Sequence, residues 1–204
     1  MLEHELVDID AFLPGIVISV PDAPESLIRH HLLSVLQDFC EHACYWREPL
    51  VDVYTIEGID SYFLEGPGDT EVVKVLEVKD AEGNVFTPRQ KPIPGERWWW
   101  QSQPGVLDID PELGEQVLTV QGAVKPSNTA ASVSRTLLTD YRDAIEQGTL
   151  ARLYTMPQKP WSEPALFQLA QDQYVAARDQ AARKAGRGFS TTPRRYQPKP
   201  RIFY

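Results

Sequence analysis

Cys40, His42 and Cys44, with His30 and His31 a short way upstream, are the residues whose types could hold a metal ion. Their spacing argues against it. On a helix, Cys40 and Cys44 share a face at i, i+4 while His42 projects to the far side, and structural zinc sites pair cysteines across a tight knuckle. The pattern predicts one buried cysteine and one surface thiol, with no metal ligand. Arg97-Trp98-Trp99-Trp100 is the most unusual run. Indoles can stack on a sugar or on single-stranded bases. In a strand, however, Trp99 faces one side while Trp98 and Trp100 face the other, which predicts core on one side and a subunit contact on the other. No nucleophile elbow, paired His and Asp, or convergent carboxylate cluster stands at a recognisable spacing. Gly66-Pro67-Gly68 reads as a hairpin turn rather than a phosphate loop. His4 and His42 read as solvent-facing. The residues point to binding rather than catalysis, with no catalytic residue and no cofactor expected.

The charge is unevenly placed. The chain of 204 residues has a formal net charge of -9, yet residues 180–204 contain Arg183, Lys184, Arg187, Arg194, Arg195, Lys199 and Arg201 and no acidic residue. Residues 1–179 therefore hold 13 basic and 29 acidic residues, a net of -16. A body this acidic repels nucleic acid, whose binding relies on cations that displace phosphate counterions. A cationic tail on such a body is either a solvated end or a segment that docks on a neighbouring subunit or an acidic partner. With 42% apolar and 24% charged residues, most of the chain should fold. No apolar run approaches the roughly 20 residues of a membrane span, and the acidic start is unlike the basic flank of a signal peptide. Two cysteines make no disulfide framework, which fits a reducing compartment.

The elements follow from periodicity. Residues 1–21 read as an acidic, then β-branched arm, extended or a short strand. Asp22 as N-cap, Pro24 in the first turn and Glu25 closing a capping box predict a helix that buries Ile28, Leu32, Val35, Leu36, Phe39 and Ala43 and runs to about Tyr45. From Glu48 the period becomes two. Runs at 50–56, 62–64, 71–78, 85–86, 97–101, 106–109 and 116–120 are separated by glycine-containing turns and predict a small antiparallel sandwich or barrel. Ser132 or Ser134 can cap a helix carrying Leu137, Leu138, Tyr141, Ala144 and Ile145, interrupted or stopped near Gly148. Ser162-Glu163-Pro164 starts a last helix with Leu166, Leu169, Ala170, Tyr174, Ala177 and Ala181 on its buried stripe and Gly186 at its end. The expected fold class is α+β. A helical bundle built from N- and C-terminal helices (22–47 and 123–188) carries an inserted small antiparallel β-sandwich or barrel domain (48–122). An extended N-terminal arm (1–21) and an extended C-terminal tail (189–204) complete it.

The segments Lys125-Pro126-Ser127, Tyr141-Arg142-Asp143-Ala144-Ile145, residues 148–153, 156–161 and Ala176-Ala177-Arg178 together resemble a tailed-bacteriophage head-to-tail adaptor, or head-tail connector. The first half is similar too, through Phe39-Cys40-Glu41, Tyr45-Trp46, Val53, Tyr54, Gly58 and Tyr62-Phe63-Leu64 before Gly66-Pro67-Gly68. The resemblance covers roughly residues 24–188. It implies a structural virion protein at the head-tail interface, assembled in the host cytoplasm. Twelve copies would form a homo-oligomeric ring beneath the portal protein. Viral DNA would pass through the channel without sequence-specific binding. The β domain would supply contacts to a tail nozzle or tail-tube protein, with Trp98 and Trp100 as subunit or tail contacts. The C-terminal segment would reach into the portal through Arg194, Arg195, Tyr196, Arg201, Ile202, Phe203 and Tyr204. No cofactor, metal or membrane enters this picture. A hexameric tail-tube or nozzle component and a carbohydrate-binding β module using residues 98–100 are the rival expectations.

Overall fold

In the computed structural model, which describes residues 5–90 and 96–187, the chain opens with strand β1 (Leu6–Asp8). A 3-10 turn (Ile9–Phe12) and helix α1 (Leu13–Ser19) follow. The short strand agrees with the expectation for residues 1–21, but the β-branched stretch is helical rather than extended. Ile9, Phe12, Leu13, Ile16 and Val20 recur every three or four residues and all are buried. Burying such side chains is worth about 1.5 to 3 kcal/mol each, against a few tenths for a β-branched residue in a helix. Pro14 in the first turn removes no helical hydrogen bond.

Helix α2 (Glu25–Ala43) buries Ile28, Leu32, Val35, Leu36, Phe39, Cys40 and Ala43, the expected stripe with Cys40 added. The capping box does not form. Pro24 occupies the cap position without a side-chain bond, and Glu25 instead pairs with Arg29 one turn on. The helix ends at Cys44 in the left-handed conformation.

The chain then builds β2 (Arg47–Pro49), β3 (Val53–Tyr54), β4 (Ser61–Phe63), β5 (Thr70–Asp80), β6 (Thr87–Pro88), β7 (Trp98–Gln103), β8 (Val106–Ile109), β9 (Val117–Pro126) and β10 (Ser132–Ser134). In one sheet, β9 pairs with β2 and β3 and also with β5. In the other the order is β4-β8-β7-β6, and a two-stranded sheet joins β1 to β10. All pairings between strands are antiparallel except β6 with β7, which is parallel. Gly66-Pro67-Gly68 is not a hairpin, because β4 and β5 belong to different sheets and the glycines carry the chain between them. The hairpin turn lies at Pro104-Gly105, where Gly105 has φ 74°. Strand pairing also continues past residue 122. Ala123, Val124, Lys125 and Pro126 align with β5, and Val133 in β10 aligns with Val7, so the return to helix begins later than expected.

Helix α3 (Arg135–Tyr154) follows without a side-chain cap on Ser134, and α4 (Pro164–Gly186) closes the described chain. Gly148 neither stops nor interrupts α3; the departure from helical geometry is at Tyr141 (φ -133°). Tyr141 is packed edge-to-face on Tyr45, ring centroids 4.7 Å apart, and leans on Phe39 at 5.0 Å. The α4 stripe is narrower than predicted. Ala170, Tyr174, Ala181 and Ala185 are buried and Ala177 is half-buried, but Leu166 and Leu169 lie in the first turns, where they are exposed. Helices α2, α3 and α4 pack on one another, and α2 also covers β9. One continuous set of buried apolar side chains runs from these helices through Val75, Val78, Leu118 and Val120 to Trp99, Leu107 and Ile109 in the second sheet. No helix among the described residues is long and apolar enough to cross a membrane.

Candidate interaction surface

Strand alternation sorts the second sheet into two faces. Trp99, Leu107, Ile109 and Tyr62 point to the core side, while Ser61, Phe63, Val106, Asp108, Trp98 and Trp100 point outward. Trp99 is 6% exposed and its indole N–H donates to the Phe86 carbonyl at 3.2 Å. Trp100 is 37% exposed. It stands opposite Asp108, whose carboxylate accepts a 2.7 Å bond from the Ser61 hydroxyl on the next strand. Phe63, two residues along β4, is 88% exposed. The two exposed rings therefore stand on one face, one at the end of a short polar row and the other diagonal to it, roughly 12 Å apart at a strand spacing near 4.8 Å and a rise near 3.4 Å per residue. Trp98 shares this face by alternation but is only 9% exposed, so Trp100 and Phe63 carry the available aromatic area. Trp98 therefore offers little surface of its own in the isolated chain.

The tryptophan strand is fixed at both ends. Before it, Arg97 pairs with Asp80 and stacks on the Phe86 ring at 5.9 Å. The Asp80 carboxylate also closes its turn, accepting from the backbone N–H groups of Glu82 and Asn84 and from the Asn84 amide. After it, Gln101 solves a problem created by β5. That strand bulges at Val73 and again near Leu76, which leaves backbone groups without ladder partners. The Gln101 amide donates to the Val73 carbonyl at 3.2 Å and accepts from the Val75 N–H at 2.9 Å, joining one sheet to the other.

The helices fix where the described chain ends. Arg47 donates to the Ala185 carbonyl at 2.6 Å and to the Cys44 carbonyl at 3.3 Å, pinning the last turn of α4 to the junction of α2 and β2. Lys184 lies 6.0 Å from the centre of the Tyr45 ring. About two turns of helix earlier, Asp38 accepts from the Tyr174 hydroxyl at 2.5 Å and from Arg178 at 3.0 Å. Partial burial pushes the Asp38 carboxyl up, but these bonds and the charges of Arg178 and His42 outweigh it and hold it below its ordinary value. Burial, then the bond to Asp38, pushes the Tyr174 hydroxyl up.

Among the described residues no cluster of three or more His, Cys, Asp or Glu could hold a metal ion. Cys40 is fully buried and burial pushes its thiol up, while Cys44 at the helix end points back to the Glu41 carbonyl. His30 and His31 meet edge-to-face at 5.3 Å, and His42 sits beside Asp38. Arg194, Arg195, Tyr196, Arg201, Ile202, Phe203 and Tyr204 lie outside the described residues. Sequence reasoning missed Phe63 and Gln101. Phe63 was legible as one of a short apolar run and as part of the Tyr62-Phe63-Leu64 motif but not as an exposed ring, and nothing local marks Gln101 as the bridge to a bulge 28 residues away.

The chain matches no protein-family model and no curated protein sequence.

Proposed function

We propose that the chain is a structural virion protein, a head-to-tail adaptor of a tailed bacteriophage whose twelve copies form a ring between portal and tail. In this reading the helices from both ends of the chain form the bundle, and the sheets between them form a carried β-sandwich or barrel domain. The observation that carries the reading is that α2 packs on α3 and α4 while the β strands between them in sequence end in an exposed aromatic face. Such a face, built from Trp100 and Phe63 around a polar row, suits contact with a neighbouring copy or a tail nozzle or tail-tube protein. Twelve chains of net charge -9 would bring a formal -108 to the ring, and an anionic channel lets DNA slide without sticking. The segment 190–204, with Arg194, Arg195 and Arg201 ahead of Ile202-Phe203-Tyr204, is the proposed anchor in the portal, its guanidinium groups pairing with portal carboxylates. The adaptor reading needs no cofactor. Of the three adjacent indoles only Trp100 is exposed, which does not favour a carbohydrate platform.

The test is to mix the chain with portal rings. Twelve-fold density for this chain in a reconstruction is expected, and six-fold density would replace the adaptor reading with the nozzle one. Deleting residues 190–204, or combining Arg194→Glu, Arg195→Glu and Arg201→Glu, should abolish co-sedimentation with the portal while leaving the melting temperature nearly unchanged. Binding retained by both variants would remove the tail from the anchor role.

A further inference from the structure

Glu48 is 8% exposed, and among the described residues the one hydrogen-bond partner of its carboxylate is the Trp46 indole, donating at 2.7 Å. No lysine or arginine of the described chain pairs with it. A carboxylate this buried ordinarily has a cation against it, because a single neutral hydrogen bond offsets little of the cost of taking the charge out of water. Glu48 is not sealed in. It lines a cavity of about 720 Å³ on the face of β2 opposite Arg47, together with Trp46, Glu5, Asp69, Leu6 and Pro67. Glu5 already has Arg135, whereas Asp69 has no ion-pair partner among the described residues. Two carboxylates without cations, an indole edge and apolar walls make a receptor for a guanidinium on an aliphatic stem.

We propose that this cavity receives the Arg194-Arg195 pair of the same chain, so that the cationic C-terminal segment rests on its own body. Charge complementarity comes first: beyond Arg187 the chain carries Arg194, Arg195, Lys199 and Arg201 and no acid. Reach comes second. The last turn of α4 is bonded to Arg47, the neighbour of Glu48 in β2. From Arg187 to Arg194 is seven residues, which extend to at most about 25 Å. The way round is the outer edge of β2, which pairs only with β9 among the described residues. A path of this kind crosses a sheet on the order of 10 Å thick. Being tethered, the arginines need only weak intrinsic affinity, since the linker holds them at high effective concentration. The inference stands apart from the portal reading. Where both hold, portal and cavity compete for the same arginines.

The experiment follows the Trp46 indole N–H signal by nitrogen-15 NMR in the full chain. The Arg194→Ala/Arg195→Ala variant should move that signal, and high salt should move the wild-type signal to the variant's position. Adding a free peptide of residues 188–204 to the variant should return it saturably, and Asp69→Asn in the same background should weaken that peptide about tenfold. The wild-type signal should not change over a hundredfold dilution. An identical Trp46 signal with and without the arginines, or no response to the peptide, overturns the proposal. A signal that shifts on dilution assigns the segment to a second copy and overturns the same-chain assignment. Neither result touches co-sedimentation with portal rings, so the two readings fail separately.

Discussion

Replacing Gly148 with alanine separates two explanations of one residue. If Gly148 were a weak point in α3, the substitution would stabilise the chain by about 1 kcal/mol, the propensity difference between the two residues in a helix interior. The packing says the opposite. A Cβ at this position would lie 2.7 Å from Tyr174 Cδ2, 2.8 Å from Val35 Cγ1 and 3.0 Å from Tyr174 Cε2, where ordinary contact begins at 3.4 Å. The neighbours would have to retreat by about 0.7 Å, and neither is free to do so. Val35 is fully buried in α2, and the Tyr174 hydroxyl is held by Asp38 and 3.3 Å from the Val35 carbonyl. Overpacking of this kind costs about 1 to 3 kcal/mol, and dragging Tyr174 from a charged acceptor adds about 1 kcal/mol or more. Set against the propensity gain, Gly148→Ala should destabilise the protein by about 1 to 3 kcal/mol, or lower Tm by roughly 2 to 12 °C. Equilibrium urea unfolding followed by circular dichroism measures it. Combining the change with Val35→Ala should cost less than the two single effects added, because the deleted methyl groups make room. A Gly148→Ala protein as stable as the wild type, or more so, would refute the account of helix contact given above.

Trp99→Ala should cost about 3 to 5 kcal/mol, whereas Trp100→Ala, which removes a ring already 37% exposed, should cost clearly less and act on assembly as well; chemical denaturation of both variants checks the contrast. Gln101→Ala strips the Val73 carbonyl and the Val75 N–H of their partner and should cost about 1 to 3 kcal/mol, with hydrogen exchange at Val75 accelerating more than at the paired residues of β5. Because the Asp38 carboxyl is held below its ordinary value, its ionised form contributes stability that is present above about pH 4 and is lost as the pH falls through the lowered value. Asp38→Asn should therefore make the urea midpoint fall less steeply than that of the wild type between about pH 4 and pH 2.

What the sequence determined by itself was the identity and order of elements whose periodicity is long enough to be unambiguous. Six apolar residues of α2 at helical spacing, the proline start of α4 and the alternating runs of β5, β7 and β8 each carry their own signal, because a face of 3.6 or of 2 residues is a local property. The face assignment of Trp99 against Trp100 follows from the same alternation. Tertiary contacts decided the rest. Residues 13–19 became a helix because Phe12, Ile16 and Val20 found a core to enter, although their β-branched neighbours favour a strand. Gly148 is needed by the approach of Tyr174 and Val35, a requirement set by two other helices and invisible in α3 itself. Leu166 and Leu169 fit the helical period of α4 yet stay exposed, because the period says which residues share a face but not how far along the helix a partner extends. The Trp46–Glu48 pair could have been suspected from its i, i+2 placement on one strand face. Its place in a cavity without a cation could not, since that depends on the 67–70 segment and the strand at Leu6 coming to line the same cavity.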